Sequence, residues 1–106
     1  MKNRIKQDLQ ALMLMPGLSG YEERVAGYLK KQLQALGLST RSDRLGNILV
    51  QFPGTGPKVM LFTHMDQLGF VVRKIEDDGF LRVERLGGVP ERALAGQPGL
   101  VCLGEG

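Results

Sequence analysis

One short stretch constrains the fold more than any other: residues 59–63, a run of branched and aromatic side chains that follows a Gly/Pro-rich turn at 53–57. A run of this length and composition, bounded by turn residues, predicts a buried strand. His64, the only histidine of the chain, and Asp66 come directly after it. Side chains two residues apart on an extended backbone point to the same side, so the imidazole and the carboxylate are expected to leave the strand end together. Because ligands of open α/β sheets bind beyond the carboxyl ends of the strands, this pair is a candidate functional site.

The chemistry of this His-x-Asp pair has two interpretations. Imidazole is a common metal ligand, and a neighbouring carboxylate often accepts its second N–H group and orients the ring. A lone histidine beside an aspartate is also common as a structural pair, because a catalytic zinc site needs about three protein ligands. From these residues alone, both interpretations stay open.

The N-terminal third of the chain predicts two amphipathic helices. Apolar residues recur at helical spacing over residues 2–15 and again over 21–36. A Pro-Gly pair ends the first helix, and Gly37 is placed to end the second. Ser19 and Glu22 have the spacing of a capping box, in which the hydroxyl accepts from the Glu22 amide and the carboxylate reaches back.

The rest of the chain predicts strands. They are expected at 40–44, 48–52, 59–63, 70–75, 80–85 and 100–103. The turn at 53–57 is too short for a crossover, so the strands on its two sides are predicted to pair antiparallel. An Asp-Gly turn that ends at Gly79 predicts a β-hairpin. Helices followed by strands indicate an α/β fold with both helices packed on one sheet.

Composition and charge exclude several classes of protein. The chain of 106 residues has a net charge of +3, but its basic residues are spread at helical spacing, as in the Arg4/Asp8 pair, which is typical of solvated helix faces. It contains no nucleic-acid-binding motif and no apolar run of the roughly 20 residues that cross a membrane, so neither nucleic acid nor a membrane is an expected partner. The single cysteine, Cys102, excludes an intrachain disulfide and indicates a cytoplasmic location.

Four short motifs occur in one order along the chain. They are L-S-G-Y-E at 18–22, D-R-L-G-N-I at 43–48, T-H-M-D-Q-L-G-F at 63–70 and L-G-G at 86–88. This set resembles the N-terminal part of the tetrahedral metallo-aminopeptidases, a family that includes glutamyl and deblocking aminopeptidases. The resemblance covers nearly all of this chain, and the chain covers about the first third of such an enzyme. It implies a cytoplasmic homo-oligomer that uses two divalent metal ions, zinc or cobalt, to release N-terminal residues from peptides.

The resemblance also implies a domain organisation and roles for two residues. Residues 1–69 match part of a zinc-exopeptidase-like catalytic domain, with two helices on a mixed sheet, and 70–106 match the start of a β-rich dimerisation domain. His64 matches a metal ligand, and Asp66 matches the catalytic acidic residue that orients the ligand sphere. The family more often has glutamate at the position of Gln67, which is not a ligand.

The family's other metal ligands and its general base match positions beyond this chain. The resemblance therefore implies that the isolated chain binds metal weakly or not at all and is inactive, because two side chains cannot hold two metal ions. The alternative is a non-catalytic, truncated relic that self-associates through exposed sheet edges. Both possibilities stay open at this point.

Overall fold

The computed structural model describes residues 1–103, in which two α-helices precede four strands. The first of two units, Met1–Asp66, contains α1 (Lys2–Leu14), α2 (Glu23–Ala35), β1 (Thr40–Ser42) and β2 (Ile48–Val50). The second unit, Gln67–Gly106, contains β3 (Gly69–Ile75), β4 (Leu81–Leu86) and a 3-10 turn at Glu91–Ala93. Two helices and two small sheets make an α/β fold, which confirms the predicted class.

The mixed sheet that the family resemblance implies for residues 1–69 is not present among the described residues 1–103. β1 pairs with β2 and β3 pairs with β4, and both pairs are antiparallel two-stranded sheets. The connections at 43–47 and 76–80 are short, and a connection this short can join only antiparallel strands. Among residues 1–103, therefore, no parallel pair is present to make a sheet mixed.

Both helices lie within two residues of their predicted bounds, but their apolar faces are only partly covered. Val25 of α2 is 3% exposed and is the only buried hydrophobic side chain in the described part of the chain. The loop after α1 packs against it, because a Cβ added at Gly17 would lie only 2.6 Å from Val25 Cγ2. This contact defines the small core of the first unit.

The start of α2 differs from the predicted capping box. Glu22 occupies the N-cap position, and no side chain caps the helix. The Tyr21 amide donates to the Leu18 carbonyl at 2.7 Å, and Gly20 has a φ of 84°, which together define a type II turn before the helix. This turn carries Ser19 away from the helix start, so the capping-box prediction is wrong.

The turn between β1 and β2 is held by one carboxylate. Asp43 Oδ1 accepts from the amides of Leu45 and Asn47 at 2.9 and 3.0 Å, and Oδ2 accepts from Asn47 Nδ2 at 2.7 Å. The hydrogen bond from the Asn47 side chain is the largest cause that lowers the pKa of Asp43. The sequence predicts this pair of strands correctly, although each is two residues shorter than expected.

Residues 59–63 do not form the predicted buried strand. The segment belongs to no strand, and the side chains from Val59 to Phe62 are 82% to 94% exposed. A strand is stabilised by backbone hydrogen bonds to a neighbouring strand and by burial of its side chains. Residues 59–63 have neither: β2, the nearest strand before them in the chain, pairs with β1 alone, and their side chains are exposed. The expected antiparallel pairing across the turn at 53–57 is therefore also wrong for this chain.

The predicted β-hairpin forms as expected. β3 and β4 pair from Gly69↔Leu86 to Ile75↔Leu81, with a register shift between Val72 and Lys74. Gly79 has a φ of 88° at the turn, where glycine avoids the steric cost of other residues. The Glu76 carboxylate accepts from both Lys74 and Arg82, which joins the two strands at the turn.

The strand predicted at 100–103 is absent. These residues are exposed and belong to no strand, because no pairing partner lies beside them in the described structure. Residues 104–106, the end of the segment assigned to a dimerisation domain, lie outside the described residues. That domain assignment, 1–69 and 70–106, stays a prediction. No helix in the described part of the chain has the length and apolar character needed to cross a membrane.

Candidate functional site

The predicted site residues do come together, and a third residue joins them. His64 Nδ1 lies 2.9 Å from Asp66 Oδ1 and 3.1 Å from the Asp66 carbonyl oxygen. The Ser19 hydroxyl donates to the other carboxylate oxygen, Asp66 Oδ2, at 2.5 Å. We call these three residues the Ser19–Asp66–His64 cluster. All of it lies within the first unit.

The cluster determines which imidazole nitrogen is free. Nδ1 faces two acceptors, a carboxylate oxygen and a carbonyl oxygen, so it carries the hydrogen and donates it. In a neutral ring Nε2 then keeps its lone pair and is the nitrogen that can bind a metal ion or accept a proton. The His64 side chain is 83% exposed, so this nitrogen is accessible.

Asp66 is held as an anion. The hydrogen bond from Ser19, and after it the hydrogen bond from His64, keep the pKa of Asp66 below its ordinary value. Hydrogen bonds from ionised or strongly polar donors to a carboxylate are shorter than neutral ones, in agreement with the contact from Ser19. An ionised Asp66 offers acceptors only, which is the form needed to receive both donors.

Local structure fixes the position of Ser19. It occupies the second position of the type II turn, and the Gly20 amide in the same turn donates to Glu22 Oε1 at 2.8 Å. Just before this turn, a Cβ placed at Gly17 would lie 3.7 Å from the Met65 carbonyl oxygen, so the loop backbone runs close to the residue before Asp66. The two chain segments are therefore brought together by backbone packing as well as by the hydroxyl.

The cluster is not a complete metal site. In the described part of the chain, no group of three histidine, cysteine, aspartate or glutamate side chains is placed to hold a metal ion. A catalytic zinc site needs about three protein ligands. The donor set of residues 1–103 therefore does not fit a whole site; it supplies one accessible imidazole and the carboxylate that orients it.

Sequence reasoning found His64 and Asp66 but assigned Ser19 to a helix cap. The partner of Ser19 is 47 residues away in the sequence, and spacing rules for capping see only near neighbours. One signal was present: L-S-G-Y-E at 18–22 and T-H-M-D at 63–66 belong to the same set of family motifs. Two motifs of one family are candidates for contact in space.

Comparison with known proteins identifies the family of the chain. The family model of the M42 glutamyl aminopeptidases matches residues 46–103. The lysyl aminopeptidase of Pyrococcus furiosus is 38% identical over 82% of this chain and 26% of its own length. The glutamyl aminopeptidase of Lactococcus lactis is 37% identical over 84% of this chain and 26% of its own length. A solved structure described as PhTET1-12s, a dodecamer, matches with a TM-score of 0.75 and 29% identity over 81% of this chain and 26% of that chain.

The matched relatives are aminopeptidases, and the matching family model is that of the M42 glutamyl aminopeptidases. The chain belongs to the M42 glutamyl aminopeptidase family, since the family model covers more than half of its residues. It spans about a quarter of the length of the curated relatives it matches. The resemblance seen in the four sequence motifs is thereby confirmed.

Proposed function

We propose that this chain supplies a metal-binding histidine, His64, and its orienting catalytic aspartate, Asp66, to a dinuclear-metal aminopeptidase that releases N-terminal residues from peptides. The observation that carries the proposal is the 2.9 Å contact between His64 Nδ1 and Asp66 Oδ1. This contact leaves an exposed Nε2 as the ligand atom. Membership of an aminopeptidase family supports the reaction and the peptide substrate.

The proposal assigns limited chemistry to the chain itself. A divalent ion, zinc or cobalt, supplies Lewis-acid activation of water and of a peptide carbonyl when it is bound. Asp66 holds the His64 ring and its tautomer, and the further ligands and the general base come from residues outside the cluster. We therefore propose that the chain alone is inactive, and that it acts in the cytoplasm, in a homo-oligomer, when the site is complete.

Metal titration tests the role of His64. We expect calorimetry with Zn²⁺ or Co²⁺ to show weak, substoichiometric binding, because one imidazole cannot close a coordination shell. His64→Ala should abolish this binding, whereas Cys102→Ser, which removes the exposed thiol, should leave it unchanged. Tight binding of two ions per chain, or binding that survives His64→Ala, would overturn the proposal.

An activity assay tests the proposal that the chain alone is inactive. The isolated chain with added Zn²⁺ or Co²⁺ should hydrolyse aminoacyl-p-nitroanilides no faster than the metal ions do alone, because proton abstraction from water needs a positioned base. Metal-dependent turnover that disappears in His64→Ala would show that the chain contains a working site.

The exposure of residues 59–62 favours a second candidate function, self-association. Val59, Met60, Leu61 and Phe62 are all more than four-fifths exposed. Apolar segments with free backbone amides and carbonyls pair readily with another copy of the same segment. As an alternative, we propose that the chain is a non-catalytic protein that assembles through strands formed by these residues.

Light scattering over a dilution series tests the alternative. Self-association should be concentration-dependent, and Leu61→Lys should shift the chain toward monomer because a charge would be buried in the new sheet. Leu45→Lys is the matched control, since Leu45 is 88% exposed in the turn between β1 and β2. A monomer at every concentration would rule the alternative out.

A further inference from the structure

We propose that Ser19 is a positioning residue for His64 and acts through Asp66. By donating to one carboxylate oxygen, Ser19 holds the other oxygen on the imidazole and so selects the tautomer with the free Nε2. The inference rests on the proposed function only in one respect, namely that Nε2 is the atom that binds a metal ion. Its geometric basis lies in the Ser19–Asp66–His64 cluster itself.

Asp66 uses both of its carboxylate oxygens in the cluster. Oδ2 accepts from Ser19 at 2.5 Å and Oδ1 lies 2.9 Å from His64 Nδ1. The carboxylate is planar, so a rotation that lengthens one contact also displaces the other oxygen. Ser19 therefore restricts the torsion angle on which the contact with His64 depends.

Burial does not hold the His64 ring, so its orientation depends on the hydrogen bonds of the cluster. The His64 side chain is 83% exposed and the Asp66 side chain is 39% exposed, so packing does little to orient either. The hydrogen bonds of the cluster therefore provide the orientation that burial provides in a closed site. A carboxylate that turned freely would leave Nδ1 with the carbonyl oxygen of Asp66 at 3.1 Å as its remaining acceptor.

Contacts other than the one with Asp66 also hold the loop that carries Ser19. The type II turn with Gly20 at a φ of 84°, and the contact from the Gly20 amide to Glu22, involve no atom of Asp66. The close approach of Gly17 to Val25 fixes the same loop to the core of the unit. The hydroxyl is therefore presented from a prepared position, as expected of a group that orients another.

A structural tether is the competing explanation, because Ser19 and Asp66 also join two distant segments. The two roles differ in their consequences. A tether affects the stability of the first unit, whereas a positioning residue affects the ratio of the two neutral imidazole tautomers. The chain allows the second quantity to be measured cleanly, because it contains one histidine.

Nitrogen NMR of the ¹⁵N-labelled chain without metal tests the inference. Long-range ¹H–¹⁵N correlations report the ratio of the Nδ1–H to the Nε2–H tautomer, taken on the alkaline plateau where the ring is neutral. We expect the Nδ1–H form to dominate in the natural chain. Ser19→Ala should lower the ratio about three- to ten-fold, the range expected when one hydrogen bond that orders a charged group is lost.

Variants separate the two explanations. Ser19→Thr keeps the hydroxyl and should retain the ratio, Ser19→Cys has a weaker donor and should give an intermediate one, and Ser39→Ala is the control at an exposed serine outside the cluster. If Ser19→Ala does not fold, the Thr and Cys variants still decide the matter. The inference would be overturned if the tautomer ratio were unchanged in both Ser19→Ala and Ser19→Cys. If Ser19→Ala is unfolded, an unchanged ratio in Ser19→Cys alone would overturn it.

The outcome is distinguishable from failure of the proposed function. If Zn²⁺ causes no change in the His64 nitrogen shifts of the natural chain, the metal-ligand role is wrong, but the tautomer ratios still test Ser19. If Zn²⁺ shifts Nε2 and Ser19→Ala leaves the ratio unchanged, His64 keeps its role and Ser19 has none.

Discussion

Two apolar stretches of this molecule have opposite structures. The hairpin of β3 and β4 is paired along its length, with its turn held by Gly79 and Glu76. Residues 59–63 are richer in branched and aromatic side chains than these strands, yet they lie in no strand and are largely exposed. The difference is that the hairpin carries both of its strands within 18 residues, whereas the segment at 59–63 has no pairing partner among residues 1–103.

This comparison also shows how the residues of the Ser19–Asp66–His64 cluster are held in place. His64 and Asp66 follow the unpaired segment, but they are ordered by contacts with the loop that carries Ser19 rather than by a sheet. The Ser19–Asp66–His64 cluster, which is part of the metal site that we propose, is thus arranged by hydrogen bonds although the segment before it is unpaired. Completion of the site needs ligands that the described cluster does not contain.

The largest expected effect compares a packed valine with an exposed one. Val25→Ala should lower the free energy of unfolding of the first unit by about 2 kcal/mol, because two buried methyl groups are lost from its small core. Val59→Ala is chemically identical at a side chain that is 83% exposed, and its effect should stay within about 0.5 kcal/mol. Denaturant unfolding followed by circular dichroism measures both. Equal losses would mean that the segment at 59–63 is packed after all.

A smaller effect is expected at the turn of the hairpin. Gly79→Ala should destabilise β3 and β4 by about 1 kcal/mol, since a side chain at a φ of 88° is strained. Gly54→Ala is the control in the turn before the unpaired segment, where an added Cβ meets nothing within 4 Å, and it should be neutral or slightly stabilising. Thermal melting of cross-strand NMR contacts between Val72 and Val83 checks the first variant. A hairpin that melts unchanged would show that its turn does not limit its stability.

The two stretches also show what could be predicted from the sequence. The helices, the pairing of β1 with β2 and the hairpin are predicted because their hydrogen bonds join near neighbours in the chain. The predictions of strands at 59–63 and 100–103 are wrong, because an apolar pattern indicates that a segment tends to be buried but does not identify the strand with which it would pair. Ser19 was assigned to a cap for the same reason, since its partner lies far along the chain.

The smallest effect is a dependence of stability on pH. Because Asp66 has a lowered pKa in the folded chain, it contributes stability above the unfolded value of about 4, and that contribution is lost as the pH falls through the folded pKa. Asp66→Asn should therefore flatten the loss of stability on acidification. Asp43→Asn should flatten it in the same direction, through the turn between β1 and β2. Denaturant midpoints across an acidic pH series measure this, and slopes that match the natural chain would contradict it.

Amide hydrogen exchange tests most directly the claim that the segment before His64 is unpaired while the hairpin is paired. At neutral pH, the ladder amides of β3 and β4 should exchange at least about ten-fold more slowly than unstructured peptides, because they must open before exchange. The amides of residues 59–63 should exchange at rates close to those of unstructured peptides. Equal protection of both stretches in a chain that light scattering shows to be monomeric would contradict the account, because it would mean that this chain completes its own sheet.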